Sequence, residues 1–103
     1  MTTLFVTRHP GAVEWARRRG IKAEVIDHLD DHTIARLRPG DVVMGVLPVS
    51  VAARVCARGA RFLHLELQVP PELRGRELSA DDMERFNARL EEYEVKRVGG
   101  NTP

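Results

Sequence analysis

Apolar residues along this chain come in short clusters that switch between strand and helix spacing. Leu4-Phe5-Val6 is a run of strand formers that ends in Thr7-Arg8-His9-Pro10-Gly11, a loop signal. Residues 12–19 put Ala12, Val13, Trp15 and Ala16 mostly on one side of a helix that Gly20 stops. Residues 22–26 suit a second strand, and the polar stretch 27–36 predicts a loop with a short helix. In Arg38-Pro39-Gly40-Asp41 the proline fixes φ and the glycine accepts positive φ, so a turn is expected. Residues 41–47 follow, with Val42, Val43, Met44, Val46 and Leu47 forming a near-continuous apolar run. Such a run suits a strand covered on both faces. Pro48-Val49-Ser50 interrupts it, and residues 51–58 read as a helix ended by Gly59. A fourth strand is expected over 62–67, with apolar residues at 63, 65 and 67, closed by Pro70-Pro71. Ser79 is placed to cap a helix, with Asp82 completing a capping box and Met83, Phe86 and Leu90 on one face. Residues 93–98 alternate as a last strand, and 99–103 form a flexible tail.

Alternating strands and helices predict one α/β domain over residues 1–98, with a mostly parallel sheet of about five strands and helices on both faces. In such sheets ligands bind beyond the carboxyl ends of the strands, where strand order switches direction. Two loops are placed for that, residues 7–11 and 48–50. Both open onto helix N-termini, where free N–H groups and the helix dipole favour anions.

A chain of 103 residues fills one domain. It can bury a core but has little room for a deep private pocket, so a large site forms more easily between two copies. The net charge of +1 gives no global pull toward long nucleic acid or a membrane surface. Fourteen of the sixteen basic residues are Arg, a bias that GC-rich codon usage accounts for in the main. Cys56 is alone, which excludes an internal disulfide, and its apolar setting suits an inert buried thiol. The opening residues lack the layout of a signal peptide and no apolar run approaches membrane-spanning length. A cytoplasmic setting is expected.

The string at residues 7–11 concentrates what phosphate chemistry needs. Arg8 can clamp a phosphate through two donors, His9 can move a proton near neutral pH, and Gly11 lets backbone come close to a ligand. Thr7, Pro48 and Ser50 line the same predicted edge, although capping a helix is the readier role for Ser50. Arg74, Arg76 and Glu77 form a charged loop. If it folds over the strand ends, its two arginines neutralise a ligand with several phosphates; otherwise it is a solvated loop. His28 and His32 are spaced for one helix face, but no third ligand stands at a diagnostic spacing, and a solvated polar stretch is expected there. Trp15 is expected in the core. Histidine phosphatases carry Arg-His-Gly at the end of their first strand. Here Pro10 follows His9, and His64, the other histidine to consider, lies within a strand.

Taken together, Leu4-Phe5-Val6-Thr7-Arg8-His9-Pro10-Gly11-Ala12 with Trp15, Gly45-Val46-Leu47-Pro48-Val49 with Ala52-Ala53, Gly59-Ala60-Arg61-Phe62-Leu63-His64-Leu65, and Arg74-Gly75-Arg76-Glu77-Leu78 before Met83 resemble a small CRISPR-associated family found beside type III systems. The resemblance covers residues 3 to about 98. It implies a Rossmann-like (CARF-related) fold, a homodimer, and ring-nuclease activity that binds cyclic tetra-adenylate and opens it without metal or other cofactor, switching off an antiviral signal. The product would be linear di-adenylate ending in a 2′,3′-cyclic phosphate. Placement and chemistry, not the resemblance, nominate His9 and Arg8 for catalysis and Thr7, Arg8, Gly11, Pro48, Ser50, Arg74 and Arg76 for binding. The rival expectation is a non-catalytic sponge or sensor for the same messenger.

Overall fold

The computed structural model describes residues 1–99, so all of the expected tail but Gly99 lies outside the described residues. Five strands, β1 (Thr3–Val6), β2 (Glu24–Ile26), β3 (Val42–Gly45), β4 (Arg61–Glu66) and β5 (Arg89–Tyr93), form one sheet in the order β2-β1-β3-β4-β5. The first four run parallel and β5 is antiparallel to β4. Four α-helices join them: α1 (Pro10–Arg18), α2 (Asp31–Ala35), α3 (Val49–Ala57) and α4 (Ala80–Arg85). The α/β reading, with about five mostly parallel strands, therefore holds.

Each face of the sheet has its own core. On one face Ala12, Trp15 and Ala16 of α1 and Ala80 and Met83 of α4 pack on Phe5, Met44 and Leu65. On the other, Ile34 of α2 with Ala52 and Val55 of α3 pack on Leu4, Val43 and Phe62. Alternation along a strand makes this possible, since Leu4 and Phe5, or Val43 and Met44, point to opposite faces. Trp15 is 1% exposed, so the indole belongs to the core as expected.

Several element ends differ from the sequence expectation. Proline has no N–H to lose at the first helical position and its φ suits a helix, so α1 starts at Pro10 and His9 becomes its N-cap. In the same way α3 starts at Val49 with Pro48 as its N-cap, which leaves Ser50 as the second helical residue and not a cap. β3 ends at Gly45, two residues early. Its φ of +140° is outside what a side chain tolerates, and an added Cβ would lie 2.6 Å from the Val6 carbonyl oxygen.

The last strand covers 89–93 where 93–98 was expected, and Leu90 belongs to it and not to the α4 face. The cause is the way α4 ends. Phe86 is its C-cap and Asn87 takes φ +61°, while Ala88 N–H donates to the Met83 carbonyl and Asn87 N–H to that of Glu84. This is a Schellman ending with Asn in the left-handed position. A six-residue helix advances only ~9 Å. The chain therefore stays near the carboxyl edge, where Gln68 N–H donates to the Phe86 carbonyl. β5 has to start there, with Arg89 opposite Glu66, and run back antiparallel. The capping box at the other end of α4 is as expected: Ser79 Oγ accepts from Asp82 N–H and Asp82 accepts from Ser79 N–H.

Candidate functional site

The strand order switches direction between β1 and β3, which lie side by side with Val6 opposite Gly45. From their carboxyl ends α1 leaves to one face and α3 to the other, so the chain parts there and a cleft opens. The cleft has a volume of about 650 Å³. Its polar side is Thr7, Arg8, His9, Asp27 and Arg76, and its apolar side includes Val46, Leu65, Leu67, Val69, Leu78 and Met83.

The β1–α1 loop is held from within. Thr7 N–H donates to the Ile26 carbonyl at 2.9 Å, and Thr7 Oγ1 accepts from His9 N–H at 3.1 Å. The His9 carbonyl accepts from Ala12 and Val13. The His9 ring makes no capping bond and turns instead to Glu77, with Nδ1 3.2 Å from Oε1. Arg8 Nε donates to the Asp27 carbonyl at 3.3 Å, which steadies the guanidinium from the β2–α2 loop. Among the described residues neither Arg8 nor Arg76 has a carboxylate within ion-pair distance. Most other arginines on this side of the sheet do: Arg17 and Arg18 hold Glu14, Arg18 also holds Asp81, and Arg19 holds Glu84.

The structure gathers Thr7, Arg8, His9 and Arg76, and separates the rest of the expected set. A Cβ at Gly11 would overlap the Leu78 carbonyl oxygen, so the backbone that approaches Gly11 is that of Leu78 and not a ligand. Pro48 does not line the cleft, and Ser50 lines a groove of about 810 Å³ beside Val49, Ala53, Cys56 and Val95. The reason is that α3 packs on the far face; Val46, just past the end of β3, is what this connection contributes to the cleft. Arg74 lines a neighbouring recess of about 340 Å³ that shares Arg76, Leu67, Val69 and Leu78 with the cleft.

His28 precedes α2 while His32 is in it, so the two are not stacked on one helix face. Among the described residues no group of three or more His, Cys, Asp or Glu is gathered for a metal. His64 lies edge-on between Phe62 and Tyr93, at 5.8 and 5.9 Å between ring centres, away from any strand-end loop. Cys56 is partly buried and its Sγ accepts from Val95 N–H at 3.4 Å.

Sequence reasoning did not assign a role to Glu77 or Asp27, and it missed the apolar wall. Glu77 stands 68 residues from His9, and only the strand order brings the two loops together. The one local signal was an acid directly after two arginines and just before a capped helix.

The class these features define is an open α/β domain, wound on both faces, with a cleft at its switch point that gathers Arg8, His9 and Arg76. The chain belongs to the family whose model is described as "Putative CRISPR-associated protein (Cas_VVA1548)", which matches residues 4–96. Comparison with curated proteins and with solved structures returned no match. Among the described residues no helix is long and apolar enough to cross a membrane.

Proposed function

We propose that the chain is a ring nuclease of a type III CRISPR system, which binds cyclic tetra-adenylate in the switch-point cleft and opens it without metal. One observation carries the reading: two arginines without carboxylate partners among the described residues converge on one cleft with an exposed histidine, in a chain of a CRISPR-associated family. Arg8, Arg76 and the α1 N-terminus supply positive potential for phosphoryl oxygens. The apolar wall of Leu65, Leu67, Val69 and Leu78 suits a base or a ribose face.

The reaction asks little of the protein. A ribose 2′-oxygen attacks the adjacent phosphorus, the bond from phosphorus to the 5′-oxygen breaks, and a 2′,3′-cyclic phosphate remains. The protein holds the attack in line, stabilises charge on the phosphoryl oxygens and moves a proton. Arg8 serves the charge, and His9 serves the proton. A ring of four nucleotides has rotational symmetry, and a two-fold homodimer presents the same loop twice to it. Pairing also supplies the size of site that one small domain lacks.

The test is incubation of excess protein with radiolabelled cyclic tetra-adenylate in EDTA, read by chromatography and by gel shift. Linear di-adenylate with a cyclic phosphate is expected. A shifted but intact ring would make the protein a sponge or sensor. Neither binding nor cutting would remove the ligand altogether.

A further inference from the structure

We propose that Glu77 is the positioning residue of this site, fixing the tautomer of His9 so that Nε2 is a base. The inference rests on the cleavage reading above for its chemistry but not for its geometry. A carboxylate can only accept hydrogen bonds. At 3.2 Å from Glu77 Oε1, the Nδ1 of a neutral His9 must therefore carry the hydrogen. The lone pair is then on Nε2. Water alone favours the opposite tautomer, so the partner decides which nitrogen takes a proton.

The fold, and not surface chance, sets this pair. Glu77 is followed by Leu78, whose carbonyl fits over Gly11 two residues past His9. Ser79, next again, is locked in the capping box of α4. The β4–α4 loop is thus docked on the α1 N-terminus at the point where Glu77 meets His9. The other charges of the cleft and of the adjoining start of α4 have different duties. Arg8 is bonded to the Asp27 backbone, Asp82 is bonded to Ser79, and Asp81 to Arg18. Asp27 and Arg76 face the same cleft with no side-chain bond to His9 among the described residues. Side chains of His9 and Glu77 are 68% and 65% exposed, so water weakens the pair in the free protein. A ligand that covers the cleft removes that water and strengthens it. The pair therefore orients a ring and contributes little to folding.

In the step this implies, His9 Nε2 takes the proton of the ribose 2′-OH as the bond from the 2′-oxygen to phosphorus forms. The bond to the 5′-oxygen breaks, and that oxygen takes a proton from water. The imidazolium then returns its proton to solvent, so protons and electron pairs balance.

The experiment is nitrogen-15 NMR of the His9 imidazole in the free protein at about pH 8.5, where an ordinary imidazole is neutral, for wild type, Glu77→Gln and Glu77→Ala. Hydrogen on Nδ1 is expected in wild type, on Nε2 in Glu77→Ala, and on both nitrogens in a mixture in Glu77→Gln, whose amide can accept or donate. One tautomer in all three proteins would overturn the proposal. Single-turnover cleavage should fall about tenfold in Glu77→Ala with binding unchanged, and fall less in Glu77→Gln. Equal rates in the three would overturn the positioning role while leaving ring cleavage intact. No cleavage by wild type would instead remove the substrate reading and the base role with it, and the NMR would still decide whether Glu77 sets the tautomer.

Discussion

The two edges of the sheet are built from the same residue types and use them in opposite ways. Each has a recess of about 650 Å³ with arginines in its wall. At the amino edge Asp41 and Arg58 are spent on the structure, while the Arg36 and Arg38 side chains have no partner among the described residues. Buried Asp41 accepts from Thr2 N–H and Arg38 N–H, each at 2.9 Å. Arg58 donates to the Ala35 carbonyl at 2.8 Å and the Leu37 carbonyl at 3.3 Å, at and just past the end of α2, where such carbonyls lack helical partners. At the carboxyl edge Arg8 has one backbone bond and no carboxylate partner among the described residues. An arginine-rich composition therefore says little about function. What separates the edges is placement: at the carboxyl edge arginines without carboxylate partners among the described residues share a cleft with His9 at the switch point.

The largest effect that tests this contrast is at His9. His9→Ala is expected to keep ligand binding and to lose at least about tenfold in single-turnover rate, the low end of what acid–base catalysis supplies. Arg8→Ala is expected to weaken binding instead, because it removes a guanidinium that has one backbone bond and no carboxylate partner among the described residues. An unchanged rate in the first variant would take His9 out of the chemistry. Wild-type affinity in the second would place the pocket elsewhere and erase the contrast between the edges.

A smaller effect is expected at the amino edge, on stability and not on binding. N–H donors from Thr2, and next from Arg38, hold the Asp41 carboxyl below its ordinary value of 3.8. The folded value lies under the unfolded one, so this stabilisation is complete above about pH 3.8 and is lost as pH falls through the folded value. Asp30, bonded by Thr33 N–H, and Asp82, bonded by Ser79 N–H, act in the same direction. Thermal melts between about pH 2.5 and 6 should show Asp41→Asn with a lower Tm at the upper end of that range and a shallower decline in acid. A decline parallel to that of wild type would show that Asp41 is not the group that titrates.

How much of this was legible depends on how local each signal is. The strand cores, the turn at Pro39 and the capping box at Ser79 are set by neighbours in sequence, and they are where expected. The helices start at Pro10 and Val49, two residues before the apolar spacing places them, because a proline that breaks the apolar pattern is the first turn of α1 and the cap of α3. The last strand was misplaced because the left-handed Asn87 left no mark in hydrophobic spacing. At the site, Arg8 and His9 were legible since a strand end and a helix start stand side by side in sequence. Glu77 was not, because its role depends on Gly11 accepting the Leu78 carbonyl from a distant loop. The same contact gives Gly11 a different reason to be glycine from the one expected.

The smallest expected effect is the most exacting check on the comparison. Arg36 lines the amino-edge recess, is exposed, and has no ion pair among the described residues. By charge alone it is as good an anion ligand as Arg8. Position separates them: a four-residue strand such as β1 spans about 13 Å, and exposed charges are screened over about 8 Å at physiological salt. Arg36→Ala should therefore leave the affinity for cyclic tetra-adenylate within about twofold of wild type in that salt. The same removal at Arg8 weakens binding clearly, although net charge falls by one in both variants. Parallel titrations of the two proteins read the difference directly. Equal weakening would mean that the ligand responds to overall charge or sits at the amino edge. In either case the switch-point cleft would lose its claim to the site.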